Sequence, residues 1–284
     1  MNYWLYLNEM PEEQLVPIAQ IAEQVGFRGV ALADHIVVPT DFDKTRHPSG
    51  NAPFDHASSF PDPIVTAATI LASTDRLDVM SYVYILPMRD PFAVAKQVGT
   101  LARLSGNRFR FGVGAGWMLE EIELIGHSLA ARGRRMDEML SIMKGFWTQE
   151  SFEFHGEFFD FDAAGMAPHP IETIPIWVGG KSAAALDRAA KHQGWLGMNY
   201  DLPEIHTLLR SLESRRANSD SESPWTTFVI PNAAPSPELD RDLEARGVTD
   251  TMGFAFPVDD PKFAGLEAKR EALERFAEAF TPAQ

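Results

Sequence analysis

Short, almost unbroken apolar runs alternate along this chain with longer stretches in which apolar residues recur every third or fourth position. The first run, residues 2–7, reads as a strand. Pro11-Glu12-Glu13 then opens a helical pattern with Leu15, Ile18, Ala19, Ala22 and Val25 on one face, and Gly26 closes it. Residues 29–33 are apolar throughout, as expected of a strand covered on both faces. The same alternation predicts a helix over 61–73, a strand over 77–86, a helix over 90–104 and a strand over 108–113. Helices are expected over 118–125 and 132–147, the second carrying Met136, Met139, Leu140, Met143 and Phe146 on one face. Strands over 175–178, 194–198, 226–230 and 251–256 complete a set of eight. They are separated by a helix ending at 192 and by helices over 203–218 and 237–246, with a last one over 264–280.

Eight strands alternating with helices predict an α/β fold of the (β/α)8 TIM-barrel class. Three segments fall outside the repeat. Residues 36–60 form a long irregular insertion after the second strand, and a second insertion follows the fourth strand. Residues 150–174 contain Phe152-Glu153-Phe154-His155-Gly156-Glu157-Phe158-Phe159-Asp160-Phe161, which reads as a β-hairpin turning at His155-Gly156 before the fifth strand. The 36–60 loop and the hairpin are expected to shape the substrate pocket. Residues 219–224 read as a polar surface loop. No linker, repeat or low-complexity stretch divides the chain, so a single domain over 1–284 is expected.

Composition narrows the chemistry. Cysteine is absent, which excludes disulfides, zinc–thiolate sites and a cysteine nucleophile. The net charge of −15 argues against a nucleic-acid partner, whose phosphates need basic surface. A small anion needs only a local set of N–H groups and one or two cations, and stays compatible. No leader pattern or long apolar run is visible, so a cytoplasmic protein without a membrane partner is expected.

In a barrel of this class ligand-binding residues sit at the C-terminal ends of the strands. Gly112, Gly114 and Gly116 open the end of the fourth strand and lead to Trp117, a flat apolar wall. Their spacing differs from the G-x-G-x-x-G dinucleotide fingerprint. Gly179-Gly180-Lys181-Ser182 ends the fifth strand and opens a helix. It reads either as a phosphate cradle or as an ordinary glycine turn with Ser182 as helix cap. His35 is the only histidine directly after a strand, and suits either proton transfer or a structural hydrogen bond. There is no H-x-H, H-E-x-x-H or G-x-S-x-G, so neither a metal site nor a serine nucleophile is expected. Glu120, Glu121 and Glu123, and Asp137 with Glu138, read as solvated helix faces.

Several segments, taken in order, resemble the luciferase-like monooxygenase superfamily, barrel enzymes that use FMN or the deazaflavin coenzyme F420. They are Ala22-Glu23-Gln24-Val25-Gly26-Phe27 with Ala33-Asp34-His35, Thr74-Asp75-Arg76-Leu77 with Leu86-Pro87-Met88-Arg89-Asp90-Pro91, Ala95-Lys96, and Leu104-Ser105-Gly106-Asn107-Arg108-Phe109 with Gly114-Ala115-Gly116-Trp117. Arg134-Arg135-Met136-Asp137-Glu138, His155-Gly156-Glu157-Phe158 and Pro175-Ile176-Trp177-Val178-Gly179-Gly180 complete the set. The resemblance implies a homodimer, a small-molecule substrate and a flavin-type ring at the barrel mouth. Its phosphate would lie near Gly179, Gly180, Lys181 and Ser182 and near Gly114 and Ala115, with His35 and Trp117 beside the ring. It also implies a non-prolyl cis peptide at Tyr82–Val83, where these two residues would prop the ring.

Departures refine what the resemblance implies. Ala102 and Asn107 replace a usual Asp and a frequent Gly. Ala115 stands where the luciferases proper carry a phosphate-binding Arg. Trp117 and Pro39 stand where F420-dependent sugar-phosphate dehydrogenases carry an acid and a Trp, which argues against that activity. The resemblance implies F420-dependent hydride transfer to or from a small organic molecule. The alternatives are an FMNH2-dependent monooxygenase using O2, and a cofactor-binding barrel without turnover.

Overall fold

The computed structural model describes residues 1–217, 224–258 and 260–280. In chain order the elements are β1 (Asn2–Tyr6), α1 (Glu12–Gln24), β2 (Gly29–Leu32), α2 (Pro63–Ala72), β3 (Asp78–Ser81), β4 (Tyr84–Ile85), α3 (Pro91–Ser105), β5 (Phe109–Gly114) and α4 (Leu119–Leu124). They continue with α5 (Arg132–Thr148), β6 (Phe152–His155), β7 (Asp160–Ala164), β8 (Ile176–Gly179), α6 (Ala183–Ala189), β9 (Gly194–Tyr200) and α7 (Leu202–Ala217). The last are β10 (Thr226–Pro231), α8 (Pro237–Ala245), β11 (Asp250–Met252) and α9 (Leu266–Phe280).

The strands close into a parallel barrel. β1 pairs with β2 and β11, β2 with β3, and both β3 and β4 with β5; β5, β8, β9, β10 and β11 then follow in sequence around the ring. β3 and β4 together form one stave, so the barrel has the expected eight. β6 and β7 pair antiparallel as the expected hairpin outside the ring.

Strand periodicity decides what fills the barrel. Along β1, Tyr3 and Leu5 join the layer shared with the helices, while Trp4 and Tyr6 point inward. Trp4, Ala31, Met80, Tyr82, Trp177, Leu196, Phe228, Ile230 and Met252 form the interior. Trp4 and Trp177 meet edge to face at 5.6 Å, and the Trp4 indole N–H donates to Asp250 at 2.7 Å. Burying each large side chain contributes roughly 1.5–3 kcal/mol. The helix ends follow the sequence signals. Asp90 accepts from the Ala93 N–H at 2.8 Å to start α3, and Gly106, at φ 63°, ends it in the left-handed region that glycine tolerates.

Three elements differ from the sequence expectation. The strand expected over 77–86 is interrupted between β3 and β4, and the Tyr82–Val83 peptide at the break is cis, as the resemblance implies. The apolar pattern of 77–86 does not by itself mark such a break. The strand expected over 251–256 stops at Met252, and Phe254 is left exposed. The helix expected over 264–280 begins at Leu266, after a 3-10 turn at Pro261–Phe263 capped by Asp260. Asn218 and residues 219–223 of the expected loop lie outside the described residues.

Candidate active site

At the C-terminal end of the barrel the interior layer ends in three partly buried side chains, Tyr6, Val83 and Met198. Val83 lies between the ends of β5 and β8. A Cβ added at Gly114 would sit 2.6 Å from Val83 Cγ2, and one at Gly179 would sit 2.9 Å from Val83 Cγ1. The glycines at the strand ends therefore make room for a neighbouring stave before they make room for a ligand. Tyr82 is buried, and its hydroxyl donates to the Gly197 carbonyl at 2.6 Å. Asp34 ties the segment after β2 to β4, accepting from the Ile85 N–H at 2.7 Å and from Arg89 at 2.5 Å. Burial pushes the Asp34 carboxyl up, against the opposing pull of Arg89.

His35 leaves β2 two residues after this strand's neighbour in sequence, Ala33, and its side chain is only 6% exposed. Its Nδ1 lies 2.7 Å from Glu121 Oε2. Its ring sits 4.8 Å from Phe60, 5.1 Å from Phe54 and 6.0 Å from Trp117, centroid to centroid. Phe42 and His47 extend this aromatic wall, His47 meeting Trp117 at 5.0 Å. Burial, aided by the neighbouring His35, pushes the His47 imidazole down to about 4, so it is neutral near pH 7.

Glu121 corrects the reading of its helix as a solvated carboxylate run. Its side chain is fully buried, and Oε1 accepts from the Ile36 N–H at 2.7 Å and the Val37 N–H at 3.2 Å. Glu120 takes the Asp43 N–H at 3.3 Å and Arg46 at 3.1 Å. Two of the three carboxylates of α4 thus hold the 36–60 loop and the residues that lead into it, while Glu123 is exposed. Asp137 and Glu138 are also engaged. Asp137 pairs with the buried Arg188, and Glu138 accepts the N–H groups of Glu157, Phe158 and Phe159 at the hairpin turn. Nothing local in the sequence marks these partners. His35 and Glu121 stand 86 residues apart, and only the closed barrel brings them together.

The second expected cluster lies at the start of α6. Gly180 has a φ of 114°. Ser182 accepts from the Ala185 N–H at 3.2 Å and so caps the helix. Lys181 is exposed, pairs with Glu204 at 2.7 Å and lies 4.9 Å over the Tyr200 ring. Ala115 is partly buried against the core and brings no charge. The structure therefore brings His35 and Trp117 together, and separately Val83, Gly114 and Gly179, with Lys181 and Ser182 following on. Of the two segments expected to shape the pocket, the 36–60 loop supplies Phe42, His47, Phe54 and Phe60. The hairpin instead packs its Phe161 on Phe146 of α5 and Phe92 of α3. Among the described residues no cluster of three or more His, Asp or Glu side chains suits a metal, and no helix is long and apolar enough to cross a membrane.

Residues 4–246 match the family model described as luciferase-like monooxygenase. An uncharacterised protein of Mycobacterium tuberculosis is 38% identical over 267 residues, 93% of each chain. The FMNH2-dependent dimethylsulfone monooxygenase of Pseudomonas fluorescens is 32% identical over 186 residues, 64% of this chain and 46% of that one. Among solved structures, the coenzyme F420-dependent tetrahydromethanopterin reductase from Methanopyrus kandleri superposes with a TM-score of 0.71 at 12% identity. The match covers 98% of this chain and 97% of that one.

Proposed function

The chain belongs to the luciferase-like monooxygenase family, which uses either F420 or FMN, and from that premise we propose that it is an F420-dependent oxidoreductase acting on a small, uncharged organic substrate. The observation that carries this reading is the mouth itself. Val83, Tyr6 and Met198 offer an apolar platform at the barrel end, and the His35 and Trp117 wall is built by the segments that follow β2 and β5. An aromatic ring system fits such a site, which combines apolar walls with few convergent polar groups.

The choice of cofactor rests on charge. The 179–182 turn offers one cation, Lys181, which it shares with Glu204, and Ala115 adds none. At the phosphate itself FMN presents a monoester, close to a dianion near neutral pH, whereas F420 presents a phosphodiester with a single charge, its carboxylates lying on the tail beyond it. One exposed lysine matches the second. An exposed ion pair such as Lys181–Glu204 is worth about 0–1 kcal/mol, so an arriving phosphate can recruit the ammonium.

When bound, the deazaflavin supplies two-electron hydride chemistry. The chain supplies the rest. Trp117 and the phenylalanines exclude water, and His35 exchanges the proton that must accompany the hydride. The charged side chains beside the mouth are engaged, Asp34 with Arg89, Glu120 with Arg46 and Glu121 with the His35 ring. Exposed Ile36, Val37 and Phe254 face solvent near the same strand ends. This supports an uncharged, apolar substrate. A second copy of the chain is the proposed protein partner, supported by the uncharged outer face of α2, where Val65, Ala68, Thr69 and Ala72 are exposed.

Separate titrations with F420 and FMN, followed by quenching of tryptophan emission, test the assignment. F420 is expected to bind at least tenfold more tightly, about 1.4 kcal/mol. Tighter binding of FMN would transfer the protein to the FMNH2- and O2-dependent reading. Binding of F420 without turnover of any alcohol or enone would favour a barrel that only holds the cofactor.

A further inference from the structure

Glu121 does something that its place in an acidic helix does not suggest. Its carboxylate is fully buried, and all of its partners come from three consecutive residues, the His35 ring and the N–H groups of Ile36 and Val37. We propose that Glu121 is a positioning residue that fixes the tautomer of His35, holding a proton on Nδ1 and leaving Nε2 free to exchange a proton with the substrate. This inference rests on the reading of His35 as the group that transfers a proton.

The hydrogen-bond inventory supports it. An ionised carboxylate only accepts. Oε1 already receives two backbone N–H groups, and Oε2 faces Nδ1 at 2.7 Å. The ring nitrogen opposite an acceptor must be the donor, so the neutral imidazole carries its proton on Nδ1. Among the described residues no group hydrogen-bonds to Nε2. The ring is also prevented from turning over, with Phe60, Phe54 and Trp117 packed around it. Because the same carboxylate holds the next two backbone N–H groups, it fixes the chain on which the imidazole is mounted as well as the ring itself.

The proton step balances simply. When a substrate alcohol is oxidised, its O–H bond breaks, the bonding pair stays on oxygen and the proton bonds to Nε2. The deazaflavin, when bound, would supply the two-electron acceptor for the hydride from carbon, and no electron changes hands at His35. The imidazolium that forms is stabilised by the Glu121 carboxylate across the Nδ1–H bond. Reduction of an activated double bond runs the same proton in reverse. The other ionisable groups around His35 do not compete for this role. Asp34, the preceding residue, is held by Arg89, and His47, beyond Trp117, is neutral near pH 7.

Glu121→Gln separates the tautomer from the loop. The amide oxygen can keep the Ile36 and Val37 N–H groups, while the amide NH2 replaces Oε2 and donates to Nδ1. The imidazole must then carry its proton on Nε2. Long-range 1H–15N correlation spectra of the cofactor-free protein, labelled at histidine, read the tautomer directly. The wild type is expected to be protonated on Nδ1 and Glu121→Gln on Nε2, while Glu121→Asp, still only an acceptor, keeps the wild-type form. With F420 bound and cyclohexanol as the probe, Glu121→Gln is expected to lose about 100-fold in kcat with KM within about twofold.

A wild-type ring protonated on Nε2, or an unchanged tautomer in Glu121→Gln, overturns the proposal. So does full activity of Glu121→Gln beside an inactive His35→Ala. Should Glu121→Gln fail to fold, an Nε2-protonated ring in folded Glu121→Asp overturns it equally. Full activity of His35→Ala removes the proton-transfer reading instead, and leaves the tautomer assignment to the spectra.

Discussion

Replacing His35 by alanine is expected to lower kcat by about a hundredfold or more while leaving the F420 dissociation constant within about twofold. The ring lies against Trp117, and in the proposed function its loss removes the proton carrier without removing the Val83 platform or Lys181. It also deprives the buried Glu121 of one of its partners, and an unsatisfied buried acceptor costs about 1–3 kcal/mol in stability. His35→Gln separates the two effects. Its amide can still donate to Glu121 but has no titrating ring nitrogen, so it is expected to lose turnover equally and stability less. Steady-state kinetics with unfolding curves for both variants check this. A variant that loses cofactor affinity with kcat unchanged would make His35 a structural residue.

The largest expected effect on stability comes from Gly112→Ala. Gly112 lies in β5 beside the end of β3, and its carbonyl accepts from the Ser81 hydroxyl at 2.8 Å. A Cβ there would fall on the Ser81 backbone oxygen and 2.7 Å from Leu196 Cδ1. Backbone oxygen cannot step aside as a flexible side chain does, so two staves of the barrel must separate. A loss of about 3 kcal/mol or more is expected, at the upper end for overpacking. Gly265 provides the control. Nothing lies within 4 Å of a Cβ added there, and alanine is expected to be nearly neutral. Urea unfolding midpoints of the two variants decide the matter, and equal midpoints would contradict the packing account.

The barrel was legible because its physics is local. Strands covered on both faces are apolar runs, amphipathic helices repeat every three or four residues, and Asp90-Pro91 and Gly106 mark helix ends by backbone chemistry that needs no tertiary partner. The cis peptide at Tyr82–Val83 was anticipated only through family resemblance, since neither residue type signals it. The site was less legible because its decisive contacts are long-range. Helical spacing alone does not say that α4 turns Glu121 inward while leaving Leu124 exposed. That inversion of a charged and an apolar residue makes sense only once the 36–60 loop is packed over it. The alternating glycines of β5 likewise do not say in sequence what they accommodate, which for Gly112 and Gly114 is Ser81 and Val83.

In the proposed function the flavin-type ring sits on Val83 at the barrel mouth. Methyl resonances of valine-labelled protein, recorded during titration with F420, report on that contact. Both Val83 methyl signals are expected to shift by ring current, saturating with one equivalent and giving Overhauser contacts to the ring protons. Saturable binding that leaves the Val83 methyls unmoved would contradict the account.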